Sequence, residues 1–174
     1  SDQDTTNSLN QNNPHYAILT GNVTLRNGGF APQNDPNSAA MPVKPVNAEK
    51  KTGTYTFSAY TKAPQGYGGK LNVKLVDNTN RPLTNEQEIS VDGDGTWKKV
   101  TAELTSTVTF NTKGKLMLAI KGAGSEEQLL LDMVSVIPHD SYGYGNPNYA
   151  CGVGIRQDLL DLMMDLNPKF MRFP

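Results

Sequence analysis

Residues 54–61 read Thr-Tyr-Thr-Phe-Ser-Ala-Tyr-Thr, which puts Tyr55, Phe57 and Ala59 on one side of an extended chain and Thr56, Ser58 and Tyr60 on the other. A helix would scatter those residues around its circumference, so the segment can bury its apolar side only as a strand. The same period of two returns along the chain. It is present in residues 16–19 and 22–26, in Leu71, Val73 and Leu75 with Asn72 and Lys74 outward, and at Ile89 and Val91. Val100, Ala102 and Leu104 repeat it, as do Leu116, Leu118 and Ile120. The last run fits two registers, Leu129, Leu131 and Met133 or Leu130, Val134 and Val136. Turn residues such as Asp92-Gly93-Asp94-Gly95 separate the runs. About eight short strands with no helix between them predict a mainly β chain, an antiparallel β-sandwich or jelly roll. Trp97 is out of phase with Val100, so a bulge near Lys98 and Lys99 is expected, with Trp97 turned into the core.

The flanks differ from this middle. Residues 1–14 are Asn, Asp, Gln, Ser and Thr around a single Leu9, too polar for a core, and read as a tail or linker. The sandwich is expected over residues 15–138. Within it, Pro32, Pro36, Pro42 and Pro45 make an irregular loop with a short edge strand at its end. Residues 139–153, rich in Gly, Asn, Pro and Tyr, read as a connector. In residues 154–174, Ile155, Leu159, Leu162, Met163 and Leu166 share one face of a helix. Asn167-Pro168 stops it before a strand-like run at 169–173. Helix, break and strand form half of a βαβ unit, which buries its stripe against a parallel sheet. The segment therefore reads as the start of a larger α/β domain. Without that sheet, Leu159, Leu162, Met163 and Leu166 are expected to pack on the sandwich or on another molecule.

Charge and composition exclude several functions. A net charge of −1, with 16 basic and 17 acidic residues and no basic stripe, argues against nucleic acid. No apolar run approaches the roughly 20 residues of a membrane span. The single cysteine, Cys151, has no partner for an internal disulfide and no His or Cys cluster for zinc. Asp92-Gly93-Asp94 with Glu103 imitates a calcium loop, but Trp97 stands where its sharp turn requires glycine. Carbohydrate is the ligand class with candidates: tyrosine rings offer faces to sugar C–H groups, and Tyr60, Tyr67, Tyr142 and Tyr144 are the ones to do so. Against it stand a single Trp and 7% aromatics, which favour a domain that only scaffolds its neighbour.

The motifs Leu-Leu-Leu-Asp-Met-Val-Ser-Val-Ile-Pro at 129–138 and Gly-Ile-Arg-Gln-Asp-Leu at 154–159, with Arg-Phe-Pro at 172–174, resemble the bacterial α-L-arabinofuranosidases of glycoside hydrolase family 51. Upstream runs such as Thr-Tyr-Thr-Phe-Ser-Ala-Tyr-Thr-Lys and Thr-Trp-Lys-Lys-Val-Thr resemble the carbohydrate-binding-module-like sandwich of those enzymes. The resemblance covers residues 13–174. It implies a fragment: the sandwich plus the helix and short strand that begin a (β/α)8 barrel, cut from a retaining hydrolase of arabinan or arabinoxylan. A periplasmic or secreted location is favoured over a cytoplasmic one, and the resemblance implies as partners an arabinose-containing polysaccharide and the missing catalytic barrel. Both catalytic glutamates would lie on later barrel strands, so none is expected here, and Asn85-Glu86 only imitates the acid/base dipeptide. Arg172 would approach the arabinose subsite in the full-length enzyme. No cofactor is implied beyond a structural calcium partly held by Asp132, against which stands Ala31 in place of an expected acidic residue. The alternative from the residues alone is a free-standing carbohydrate-binding or adhesion module.

Overall fold

A computed structural model describes residues 6–27, 41–124, 126–148 and 155–166. The strands are β1 (Ala17–Thr20), β2 (Thr24–Arg26), β3 (Met41–Val43), β4 (Thr54–Lys62), β5 (Lys70–Val76), β6 (Gln87–Ser90), β7 (Lys98–Thr105), β8 (Thr112–Lys121) and β9 (Gln128–Pro138), followed by helix α1 (Gln157–Asp165). They build two antiparallel sheets, one in the order β1-β9-β4-β7 and the other β2-β8-β5-β6, with β3 also paired to β8. The mainly β sandwich expected from the alternation is the architecture of the chain.

The core lies between the sheets. Tyr55, Phe57 and Leu104 of the first sheet meet Leu71, Val73, Leu75, Leu116 and Leu118 of the second in one buried cluster. β4 is central in its sheet and shows the alternation most clearly, every second residue from Tyr55 to Thr61 being buried. Tyr55 places its hydroxyl where polar groups are available: it donates to the Pro42 carbonyl at 3.3 Å and accepts from the Lys44 amide at 3.1 Å, which ties the end of β3 to β4.

Both registers read for the last run are used, in succession. Leu129 and Leu131 are buried, then a β-bulge intervenes, after which Val136 packs on the core opposite Phe57. The bulge sets Met133 and Val134 against Ala59 alone, since Tyr60 pairs with Asp132 and Ser58 with Ser135. Met133 takes a left-handed φ of 49° and is exposed. The bulge expected at Lys98 and Lys99 is absent: β7 pairs with β4 without interruption from Lys98 to Thr105. Trp97 continues the outward parity of Lys99, and so it is half-exposed and outside the core.

Asn72, expected outward, is buried at 3% exposure, and its Nδ2 has no partner among the described residues. It does lie on the outer parity of β5, but long side chains flank it there. Lys70 pairs with Glu88 at 2.5 Å, and Glu88 stands opposite Asn72. Glu86 bridges Lys74 at 2.5 Å and Lys121 at 2.6 Å. The aliphatic stems of such residues cover a neighbouring short amide while their heads stay in water.

Helix α1 carries the expected apolar stripe with nothing buried. Leu159 is 47%, Leu162 60%, Met163 39% and Leu166 79% exposed, which overturns the expectation that they pack on the sandwich. The physical reason is orientation: Arg156, Asp158 and Asp161 line the groove beside β9, so the polar side of the helix faces the sheets. The short strand expected at 169–173 lies outside the described residues.

Candidate functional site

Tyr60 stands on the outer face of β4, with Lys99 of β7 on one side and Asp132 of β9 on the other. The bulge directly after Asp132 turns the chain so that its Oδ1 accepts the Met133 amide at 2.7 Å. Over this spot lies the segment expected to be a loose tail. Asn13 donates its backbone N–H to the Asn10 carbonyl at 3.1 Å, and Asn12 donates to the Asn10 side-chain oxygen at 2.9 Å, which closes a tight turn.

Two contacts anchor that turn. The Trp97 indole N–H donates to the Asn7 carbonyl at 2.7 Å, and the Lys62 ammonium donates to the Asn7 side-chain oxygen at 3.1 Å. The Tyr16 ring meets Trp97 edge-on, centroids 5.9 Å apart. An indole at the sheet surface supplies both an apolar plate and a donor, and here it uses both on the chain's own N-terminal region. The cleft left between residues 9–13 and Tyr60, Asp132 and Met133 has a volume of about 560 Å³. Sequence reasoning named Tyr60 for glycan and Asp132 for metal; the fold brings the two together as neighbours. It missed Asn10, Asn12, Asn13 and the anchoring by Trp97, although an Asn-rich run next to a lone tryptophan was there to be read.

The other tyrosines have structural surroundings. Tyr67 is buried at 8% exposure, which removes it as an exposed sugar platform. A Cβ on Gly69 would fall 2.5 Å from the Tyr67 hydroxyl, and one on Gly93 2.6 Å from its backbone nitrogen, so two glycines let the ring tuck in. Burial pushes its phenol up from the usual value, helped by the nearby Glu127 charge. Tyr144 stacks on His139, centroids 4.1 Å apart, and its hydroxyl lies 2.6 Å from Thr56 Oγ1 and 2.7 Å from His139 Nε2. This fastens the connector to the outer face of β4. Burial depresses the His139 pKa against the opposing pull of Glu103 and Asp140, so the ring is neutral at neutral pH. Tyr142 donates its backbone N–H to the Ile155 carbonyl at 2.8 Å, at the root of α1. Arg172 lies outside the described residues, as do Ala31 and Cys151.

Among the described residues no group of three His, Cys, Asp or Glu side chains converges to hold a metal. Glu86 is held by two ammonium groups, and its hydrogen bonds to Lys121 and then Lys74 lower its pKa against a smaller opposing effect of burial. A carboxyl in that setting is ionised at neutral pH and has no proton to donate as a general acid. Its folded pKa is depressed, so its stabilisation is complete above about 4.5 and fades as pH falls through the folded value. Glu86→Gln is expected to cost at most about 1 kcal/mol at about pH 7, and nothing once wild-type Glu86 is itself protonated. Urea midpoints of both proteins at neutral and strongly acidic pH check this; a constant gap would refute it.

No family model matches the chain. An extracellular exo-α-L-arabinofuranosidase of Streptomyces chartreusis is 31% identical to it over 166 residues, which are 95% of this chain and 16% of that protein. The chain thus spans only 16% of the length of the curated relative it matches. Among solved structures, an arabinose-bound GH51 α-L-arabinofuranosidase matches with a TM-score of 0.69 at 24% identity, covering 99% of this chain and 26% of that one. The second likeness establishes a shared fold that includes the sandwich.

Proposed function

We propose that this chain, related over nearly its whole length to one part of an extracellular exo-α-L-arabinofuranosidase, is the non-catalytic, carbohydrate-binding-like domain of such an enzyme, joined to the start of its barrel. The observation that carries the reading is the coincidence of that 31% identity with a sandwich whose terminal helix leaves an apolar stripe uncovered. A helix of this kind belongs against a parallel sheet, and the barrel is the element that supplies one. The whole protein would act outside the cell, like its relative, on terminal arabinofuranosyl residues of arabinan or arabinoxylan.

In that enzyme two barrel carboxylates about 5 Å apart would carry out a retaining hydrolysis, one attacking the anomeric carbon and the other protonating the leaving oxygen. Glu86 takes no part. Arg172, which the likeness to that enzyme would put at the end of the first barrel segment, would orient a sugar hydroxyl or a catalytic carboxylate through its planar fork of donors.

The test compares this chain with the full-length protein on a nitrophenyl α-L-arabinofuranoside. Release is expected from the full-length protein alone, and its loss on Arg172→Ala with retained folding supports the assigned position. Turnover by the 174-residue chain would overturn the reading. No metal is needed for folding in this proposal, so EDTA is expected to leave the thermal midpoint unchanged. A fall reversed by calcium would instead make Asp132 its first ligand to examine.

A further inference from the structure

We infer that the cleft between residues 9–13 and the outer face of β4 and β9 is a subsite for a neutral saccharide, with Tyr60 and Asp132 as its floor and the Asn10–Asn13 turn as its wall. The inference rests on the carbohydrate-binding reading and gives it a place.

The chemistry of the lining selects the ligand. Asn10, Gln11, Asn12 and Asn13 border the cleft, and a side-chain amide offers two donors and an acceptor in one plane, the match for a pair of vicinal hydroxyls that each donate and accept. Asp132 spends Oδ1 on the Met133 amide, while its Oδ2 and the Tyr60 hydroxyl have no hydrogen-bond partner among the described residues. A carboxylate beside a phenol repels phosphate and uronate groups but accepts sugar hydroxyls. The Tyr60 ring adds an apolar face for C–H groups.

Size and order agree with this. About 560 Å³ lies within the range of pockets that hold small ligands. The wall is fastened before any ligand arrives, by Trp97 and Lys62 on Asn7, so less ordering remains to oppose binding. Trp97 is also the only tryptophan of the chain, and its hydrogen bond to this wall makes it a reporter of the cleft.

The experiment titrates the chain with arabinotriose, followed by calorimetry and by Trp97 fluorescence. Saturable binding with a change in Trp97 emission is expected. Tyr60→Ala and Asp132→Ala are each expected to weaken it by about tenfold or more. Asn13→Ala probes the wall, and unchanged thermal midpoints show that the variants fold. A galacturonic acid trimer is expected to bind at least about tenfold more weakly than the neutral trimer, because Asp132 faces it. Tighter binding of the acidic trimer would overturn the assignment of ligand class. Binding that all three variants leave intact would remove the cleft and leave the carbohydrate-binding reading standing. Absence of binding to arabinotriose, xylotriose and maltotriose alike would remove both.

Discussion

Phe57→Ala is expected to destabilise the chain by about 3–5 kcal/mol, a large share of what holds a domain of this size together. Phe57 is fully buried, with Ala102 of β7 on one side and Val136 of β9 on the other. Removing its ring opens a cavity at the centre of β4, where uninterrupted pairing with β7 on one side and the Phe57–Val136 pair with β9 on the other hold the neighbours in place and oppose inward collapse. The lost contacts and the void add. A urea titration against the wild type measures it, and a cost under about 1 kcal/mol would mean that the sheets repack across the gap.

The second large effect depends on context. In the isolated chain, replacing Leu159 and Leu162 together by glutamate is expected to leave the thermal midpoint unchanged, because both side chains are exposed already. In the full-length protein the same pair is expected to cost several kcal/mol, since burying each leucine is worth about 1.5–3 kcal/mol and a buried unpaired carboxylate adds its own penalty. Loss of soluble full-length protein, or a large fall in its midpoint, with an unaffected fragment is the expected pattern. Equal tolerance in both would show that the stripe has no internal partner.

The parts legible in the sequence were those governed by local periodicity. Tyr55, Phe57 and Ala59, or Leu116, Leu118 and Ile120, declare their buried side by spacing alone, and the sandwich follows from repeating such runs. Three kinds of information were not local. Which register β9 uses depends on a bulge opposite Ala59, so neither pattern of apolar residues was complete by itself. Whether Trp97 turns in or out depends on whether β7 carries a bulge; it carries none, so the indole stays outside, where the distant Asn7 carbonyl receives its N–H. Tyr67 looked like a loop residue, yet glycines at 69 and 93 leave room to bury it, and only the folded backbone shows that they surround the same ring. Of the tyrosines named for sugar, Tyr60 alone gained a cleft together with a second named residue, because β4 and β9 are paired there.

The place of β9 in its sheet has a consequence for biosynthesis. It is the last strand of the sandwich to leave the ribosome, yet it sits between β1 and β4, pairing Leu19 with Leu129 and Thr61 with Leu131. Until it arrives, β1 and one side of β4 present unpaired backbone along the apolar strand that carries Tyr55 and Phe57. The nascent chain therefore passes through an interval in which a strand whose alternate residues are destined for the core has an open edge, and completion waits on contacts between distant parts of the chain. Chains stopped before residue 128 are expected to accumulate as aggregates, while those extended through Pro138 can close the sheet.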